Sequence, residues 1–450
     1  MKSEIGANPV GALNNKFRPR ITSLIFYLFC LFLGIKDISY IRKSLQTMRG
    51  NPVQQNDFSC IYASGLASEA GLNPYDMTVL QSFQQQLPRF QKPGEISPFI
   101  YPPANLYLTR WLTRFSYAQA FGICYLILVA FHFISAFLFM RIASAGSPNP
   151  KAGLIYLLSP LHWSNLDGCQ ANIIILFCLI SGLWIVQKRS FAAGFFGMFI
   201  IAIPASIKIF PLAAPLIYLF LNKFRFSTFS GFAFACGVFL GLNLSCSEAN
   251  LSDFRQLISG SQSYYAELFN SLPAWIGGNV SINGLLSGII HRYGLLSEMP
   301  ARQIIGSVCI VLSFFYLMIL LIRFYAVHFK NRSIPQTELF LIIFSGILIY
   351  QICTPLAFQT QLVLIFPLLI FSIFHVAENF SLQELIPLSL FVLFLAGIHH
   401  NLSNLLTNSG WLAGTSLTGA FPTLVIVYLY IFWMKLFLKA EIQQRPLPAL

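Results

Sequence analysis

The chain has 450 residues, of which 56% are hydrophobic and only 10% are charged, against about 25% charged in an ordinary soluble domain. So little polar coat excludes a soluble globule, and so much apolar surface excludes a disordered chain. A net charge of +13 would suggest nucleic acid in a soluble protein, but here Lys and Arg gather at the ends of apolar runs, where topology and lipid headgroups account for them. The runs are long and unalternating, which predicts an all-α polytopic membrane protein rather than an outer-membrane barrel.

Twelve spans are predicted, over 21–35, 117–141, 152–167, 170–187, 191–207, 209–222, 227–246, 302–325, 336–353, 358–377, 384–399 and 414–435. They make one integral membrane domain, 1–450, with a long first outer loop at about 36–116 and a second at about 247–301. Lys16, Arg18 and Arg20 precede the first span, and Arg141, Lys151, Lys188, Arg189, Lys223 and Arg225 fall in short loops on the same side. Lys435, Lys439 and Arg445 follow the last span, so parity and charge agree on a cytoplasmic location for both termini. No A-x-A-like site follows the first span, which reads as a retained anchor. The nine Cys are scattered without a C-x-x-C pair and read as small core residues. No repeat and no nucleotide-binding glycine loop occurs.

The unusual polar chemistry collects on the outer face. Polar groups at membrane depth are costly and tend to be functional, so this clustering points to a site at the outer water–lipid boundary. In the first outer loop a helix is predicted from Asp57 toward Ala70, ended by Gly71 and turned by Asn73-Pro74. Phe58, Tyr62 and Leu66 then form a stripe expected to lie on the bilayer. Asp57, at that helix's N-terminus and close to the preceding span, reads on its own first as a helix cap, and Asp76 after Asn-Pro-Tyr as a turn or cap residue, with a role at the membrane surface as the alternative for each. Tyr101-Pro102-Pro103 is rigid, and 99–112 reads as an interfacial or re-entrant helix that does not cross. Asp167-Gly168-Cys169-Gln170-Ala171-Asn172 is a polar hinge between spans. Lys208 is a lone cation in a short outer turn, against the charge bias; it either snorkels, pairs with an acid, or meets the phosphate of a lipid-linked substrate. His399-His400 are adjacent, do not share a helix face, and make a poor metal pair.

Taken in order, Asp57-Phe58, Gly71-x-Asn73-Pro74-Tyr75-Asp76, Tyr101-Pro102-Pro103, Gly168-x-Gln170-x-Asn172 and Ile207-Lys208-x-Phe210-Pro211 resemble the GT-C-fold glycosyltransferases of family 87, the polyprenyl-phosphate-mannose-dependent α-mannosyltransferase type. Asn279-x-Ser281-x-Asn283-Gly284 resembles the element after the family's middle outer loop. The resemblance is carried by about 57–284 and beyond that by topology. It implies transfer of one sugar, mannose, from a polyprenyl-phosphate donor to a hydroxyl of a glycolipid or glycan acceptor, with inversion. Asp57 takes the role of general base, and Lys208, Asp76, Tyr101, Asp167, Gln170, Asn172, Asn279 and Asn283 those of substrate contacts. No cofactor is implied and no acidic cluster spells a metal site, although some GT-C enzymes use a divalent cation. Membrane lipid is the expected surrounding partner and nucleic acid is not expected.

Two departures stand out. The family's Gly-Gln-x-Asn carries an extra residue here, Cys169, and the family's late Ser-Pro-x-Ser-Trp turn with its following His reads Thr354-Pro355-Leu356-Ala357-Phe358-Gln359, so no role passes to that histidine. The rival readings are a secondary transporter, which would place polar groups at midplane; a polymerase or ligase of lipid-linked glycans, which would keep its chemistry outside; and a scaffold, which would not need Asp57. Abundant Phe and Ile favour a bacterial inner membrane with the active face toward the periplasm.

Overall fold

The structure, a computed structural model, describes residues 9–50, 58–87, 99–143, 150–188, 190–208, 210–222, 225–258, 298–330, 334–353, 363–378 and 420–442. In chain order its α-helices are α1 (Pro9–Met48), α2 (Phe58–Glu69), α3 (Met77–Gln85), α4 (Leu106–Leu112), α5 (Tyr117–Ala143), α6 (Pro150–Leu157), α7 (Pro160–Asp167), α8 (Asn172–Val186), α9 (Phe191–Ala202), α10 (Ala213–Leu221), α11 (Phe226–Leu244), α12 (Glu248–Ile258), α13 (Glu298–His328), α14 (Gln336–Cys353), α15 (Phe366–Glu378) and α16 (Ala420–Ile442). Among the described residues there is no strand. Tyr117–Ile142, Phe226–Leu244 and Gln303–His328 are long and apolar enough to cross a membrane, and several shorter apolar helices accompany them. The predicted span 384–399 lies outside the described residues, as does the His399-His400 pair.

The first span is longer than its hydropathy suggested. Lys36 and Asp37 interrupt the apolar run, yet α1 continues to Met48 with Leu28, Leu31, Ile35, Ile38 and Leu45 exposed along one side. Asp37 is buried instead, on the side of a helix that packs against α7. It therefore belongs to the helix rather than to the outer loop expected from residue 36.

The predicted span 152–167 is two helices, because Pro160 has no N–H to continue the ladder and its ring clashes with the preceding turn. The Leu157 carbonyl at the break is not left bare. The Trp163 indole donates to it at 3.0 Å, and His132 Nε2 of α5 lies 3.2 Å from it.

Helices α8, α9 and α11 pack through small residues, as membrane helices do when lipid offers no hydrophobic drive. A Cβ built on Gly182 would stand 2.7 Å from the Gly197 carbonyl, and one on Gly231 would run into the Phe195 backbone. Helices α13 and α14 pair antiparallel. The Arg323 guanidinium meets the Glu338 carboxylate at 2.9 Å with both side chains nearly buried, and Tyr316 OH donates to the Ile342 carbonyl at 2.8 Å.

The first outer loop folds back on the bundle. Helix α2 ends as predicted, with Gly71 in the left-handed region at φ +71°. Its Phe58–Tyr62 stripe faces protein rather than lipid: Phe58 packs on Tyr117 and Phe121, and Tyr62 meets Tyr117 edge-on at 5.4 Å. The phenol of Tyr62 donates to the Phe115 carbonyl at 2.7 Å, which draws the stripe inward. On another side of α2, Gly65 allows α4 to approach until a Cβ would stand 2.5 Å from the Thr109 carbonyl. Arg110 Nε locks the pair by donating to Ser68 Oγ at 2.7 Å. Tyr107, Leu108 and Trp111 of α4 remain exposed, the apolar face that an interfacial helix needs.

Candidate functional site

Helix α7 ends in a turn that sets up the site. Gln170 N–H donates to the Asn165 carbonyl at 2.8 Å and Cys169 N–H to the Leu166 carbonyl at 3.0 Å. This is the Schellman pairing, in which the residue after the cap takes the left-handed conformation that glycine usually supplies. Here that residue is Cys169, at φ +48°. The extra residue of the Gly168–Asn172 hinge is thus the one that bears the strained backbone, and its thiol is buried 3.9 Å from the Phe121 carbonyl.

The turn delivers Asn172 to the start of α8, two residues beyond the buried Gln170. Lys208 arrives from elsewhere, on the short link between the 3₁₀ turns Ile203–Ser206 and Phe210–Leu212. Its ammonium donates to Asn172 Oδ1 at 2.9 Å. Asn172 Nδ2 in turn donates to Asn165 Oδ1 at 3.1 Å, and Asn165 Nδ2 donates to the Leu161 carbonyl at 2.8 Å. A carbonyl can only accept, so it fixes which way Asn165 points; Asn165 then fixes Asn172, and an oxygen is left facing Lys208. Asn165 and Asn172 are wholly buried, whereas Lys208 is half-exposed. This contact orients the ammonium without neutralising it.

The first outer loop is fastened to the same place. Asn105 Nδ2 donates to the Pro102 carbonyl at 3.0 Å and to the Ser206 carbonyl at 2.8 Å, tying Tyr101-Pro102-Pro103 to the turn that carries Lys208. Asn243 at the end of α11 accepts from Ala104 N–H at 3.2 Å. Tyr75, Phe99 and Tyr101 stack into a small apolar cluster with Leu80 and Leu106 that reaches Ala171 of the hinge and Ile207 beside Lys208. Tyr75 OH donates to the Tyr101 carbonyl at 2.8 Å, and burial pushes its phenol well above the usual range.

The structure thus brings Lys208, Asn172, Gln170 and the Tyr101 segment to one end of the bundle. Tyr101 serves there through its carbonyl and its buried ring. Asp167 lies on the same turn and accepts from Ser44 Oγ of α1 at 3.0 Å. Asp76 takes the cap alternative: its exposed carboxylate accepts from Thr78 N–H at 2.7 Å and Val79 N–H at 3.3 Å at the start of α3. Asp57, Asn279, Asn283 and the Thr354–Gln359 turn lie outside the described residues. Among the described residues no three His, Cys, Asp or Glu side chains gather as metal ligands would. Asn165 and Asn105 were not singled out from sequence; the one signal for Asn165 is that it lies seven residues before Asn172, just ahead of the polar hinge.

Fold and cluster together define a helical membrane protein whose polar groups converge at one end of its bundle. The pattern that defines glycosyltransferase family 87 matches residues 99–355, more than half of the chain, and the chain belongs to that family. It is a glycosyltransferase, and works on a sugar donor and an acceptor. The matched stretch contains the Tyr101 segment, the hinge and Lys208, and begins after Asp57. No curated protein and no solved structure matches the chain.

Proposed function

We propose that this glycosyltransferase has a GT-C architecture of about twelve spans and moves mannose from a polyprenyl-phosphate donor to a hydroxyl of a glycolipid or glycan acceptor. The chemistry takes place at the end of the bundle that carries Lys208, facing away from the cytoplasm, in a bacterial inner membrane with both termini inside. One observation carries the reading: an ammonium held by a buried amide relay, at a chain turn fastened to the first outer loop. A leaving polyprenyl phosphate is anionic and calls for a fixed cation rather than a nucleotide-binding loop.

In this reading Asp57 removes the proton from the acceptor hydroxyl as its oxygen attacks the anomeric carbon. The bond from that carbon to the phosphate oxygen breaks, the electron pair leaves with the phosphate, and Lys208 stabilises the charge. One displacement inverts the centre, so a β-linked donor gives an α-linked product. Gln170, Asn279 and Asn283 supply sugar contacts, and Asn172 acts through Lys208. Asp167 and Tyr101 hold the hinge and the loop beside the sugar, and Asp76 acts by capping α3. Family membership weighs against the transporter and scaffold readings.

The donor is tested by incubating membranes that contain the protein with labelled polyprenyl-phosphate mannose or with labelled nucleotide sugars. Label is expected to move from the lipid-linked donor. Transfer only from nucleotide sugars would overturn the proposal.

A further inference from the structure

We propose that Cys309 and Cys353 form a disulfide that staples α13 to α14. The antiparallel register that pairs Arg323 with Glu338 at one end, and Tyr316 with Ile342 between, brings these two cysteines opposite each other at the other end. The contacts are reciprocal. Cys309 Sγ lies 3.9 Å from the Cys353 carbonyl, and Cys353 Sγ lies 3.6 Å from the Cys309 carbonyl. Each sulfur thus already reaches the other residue's main chain, so the two side chains face one another across the helix pair. Both residues are half-buried, and Cys353 is the last residue of α14.

Their place in the molecule favours oxidation. Tyr350, one turn before Cys353, stacks on Phe210 with ring centroids 4.6 Å apart, and Phe210 follows Lys208 by two residues. The cysteine pair therefore sits at the end of the bundle that carries the candidate site. The inference rests on the orientation proposed above, because disulfides persist in compartments outside the cytoplasm. The oxidant is the disulfide of a thiol oxidoreductase. One Cys thiolate attacks it to give a mixed disulfide; the second thiolate displaces the oxidoreductase. The two thiol protons and the two electrons end on the oxidoreductase, which departs as its dithiol. The link would fix the α14 wall that supports Phe210, and through it the turn that carries Lys208.

The test uses the full chain in its membrane, with a protease site inserted between Asn331 and Ser333. After cleavage with free thiols blocked, the two fragments are expected to run as one species on a non-reducing gel and as two after reduction. Cys309→Ser and Cys353→Ser should each abolish the link. Peptide mass spectrometry of uncut wild type should show the 309–353 cross-link, a readout that needs no variant. Fragments that separate without reductant would overturn the disulfide. Orientation is read separately by labelling Cys246, near the same end, with a membrane-impermeant maleimide from outside, with Cys246→Ser as control. Labelled Cys246 beside unlinked fragments sinks the disulfide alone; Cys246 reached only from the cytoplasmic side sinks the orientation.

Discussion

The Lys208 ammonium donates to Asn172 Oδ1 across 2.9 Å, joining the turn after α9 to the first residue of α8. Two segments 36 residues apart thereby present one cation at a fixed place. If that cation meets the donor phosphate, Lys208→Ala removes a charge-assisted contact of about 1.5–3 kcal/mol. The donor KM should rise about 10- to 100-fold, while the acceptor KM stays close to wild type. Steady-state kinetics with each substrate varied in turn checks this; an unchanged donor KM contradicts the contact.

Asn165 should act through Lys208. Asn165→Leu keeps the volume but frees Asn172 to turn its NH₂ toward the ammonium, and the donor KM should rise by about tenfold. Residues in one hydrogen-bond network are non-additive, so Lys208→Ala with Asn165→Leu should bind donor no worse than Lys208→Ala alone. A further rise in the donor KM of the double variant would assign Asn165 a separate role. Loss of protein without any change in KM would make it a packing residue.

The left-handed backbone at Cys169 makes a sharp stability prediction. Glycine adopts φ +48° freely and a β-branched residue does so only with strain. Cys169→Val should therefore destabilise by at least about 1–2 kcal/mol, whereas Cys169→Gly should be far milder, exchanging strain relief against the loss of a small buried side chain. Thermal unfolding in detergent compares the two; equal melting temperatures would mean that the turn is not constrained as drawn.

Much of the helical frame was legible because lipid imposes long apolar runs that no other setting tolerates. Gly71 ended α2 as its freedom at positive φ suggests. Three features escaped for physical reasons. The charges of Lys36 and Asp37 hid the continuation of α1, since hydropathy does not register that Asp37 turns inward. Pro160 breaks an otherwise uniform run, and its effect depends on Trp163 and His132 meeting the freed carbonyl. The Phe58–Tyr62 stripe has the spacing of a membrane-facing helix, but equally that of one packed on Tyr117 and Phe121. In the site, Lys208 stood out as a cation against the local charge bias, whereas Asn165 did not: a buried amide has no sequence signature, and its value lies in a partner across the hinge, on the next helix.

If Asp57 accepts the acceptor's proton, Asp57→Asn keeps the shape of the side chain and removes its basicity. Sugar transfer from polyprenyl-phosphate mannose, measured at saturating donor and acceptor and normalised to inserted protein, should fall by roughly 10²- to 10⁴-fold. Transfer at the wild-type rate would contradict the account.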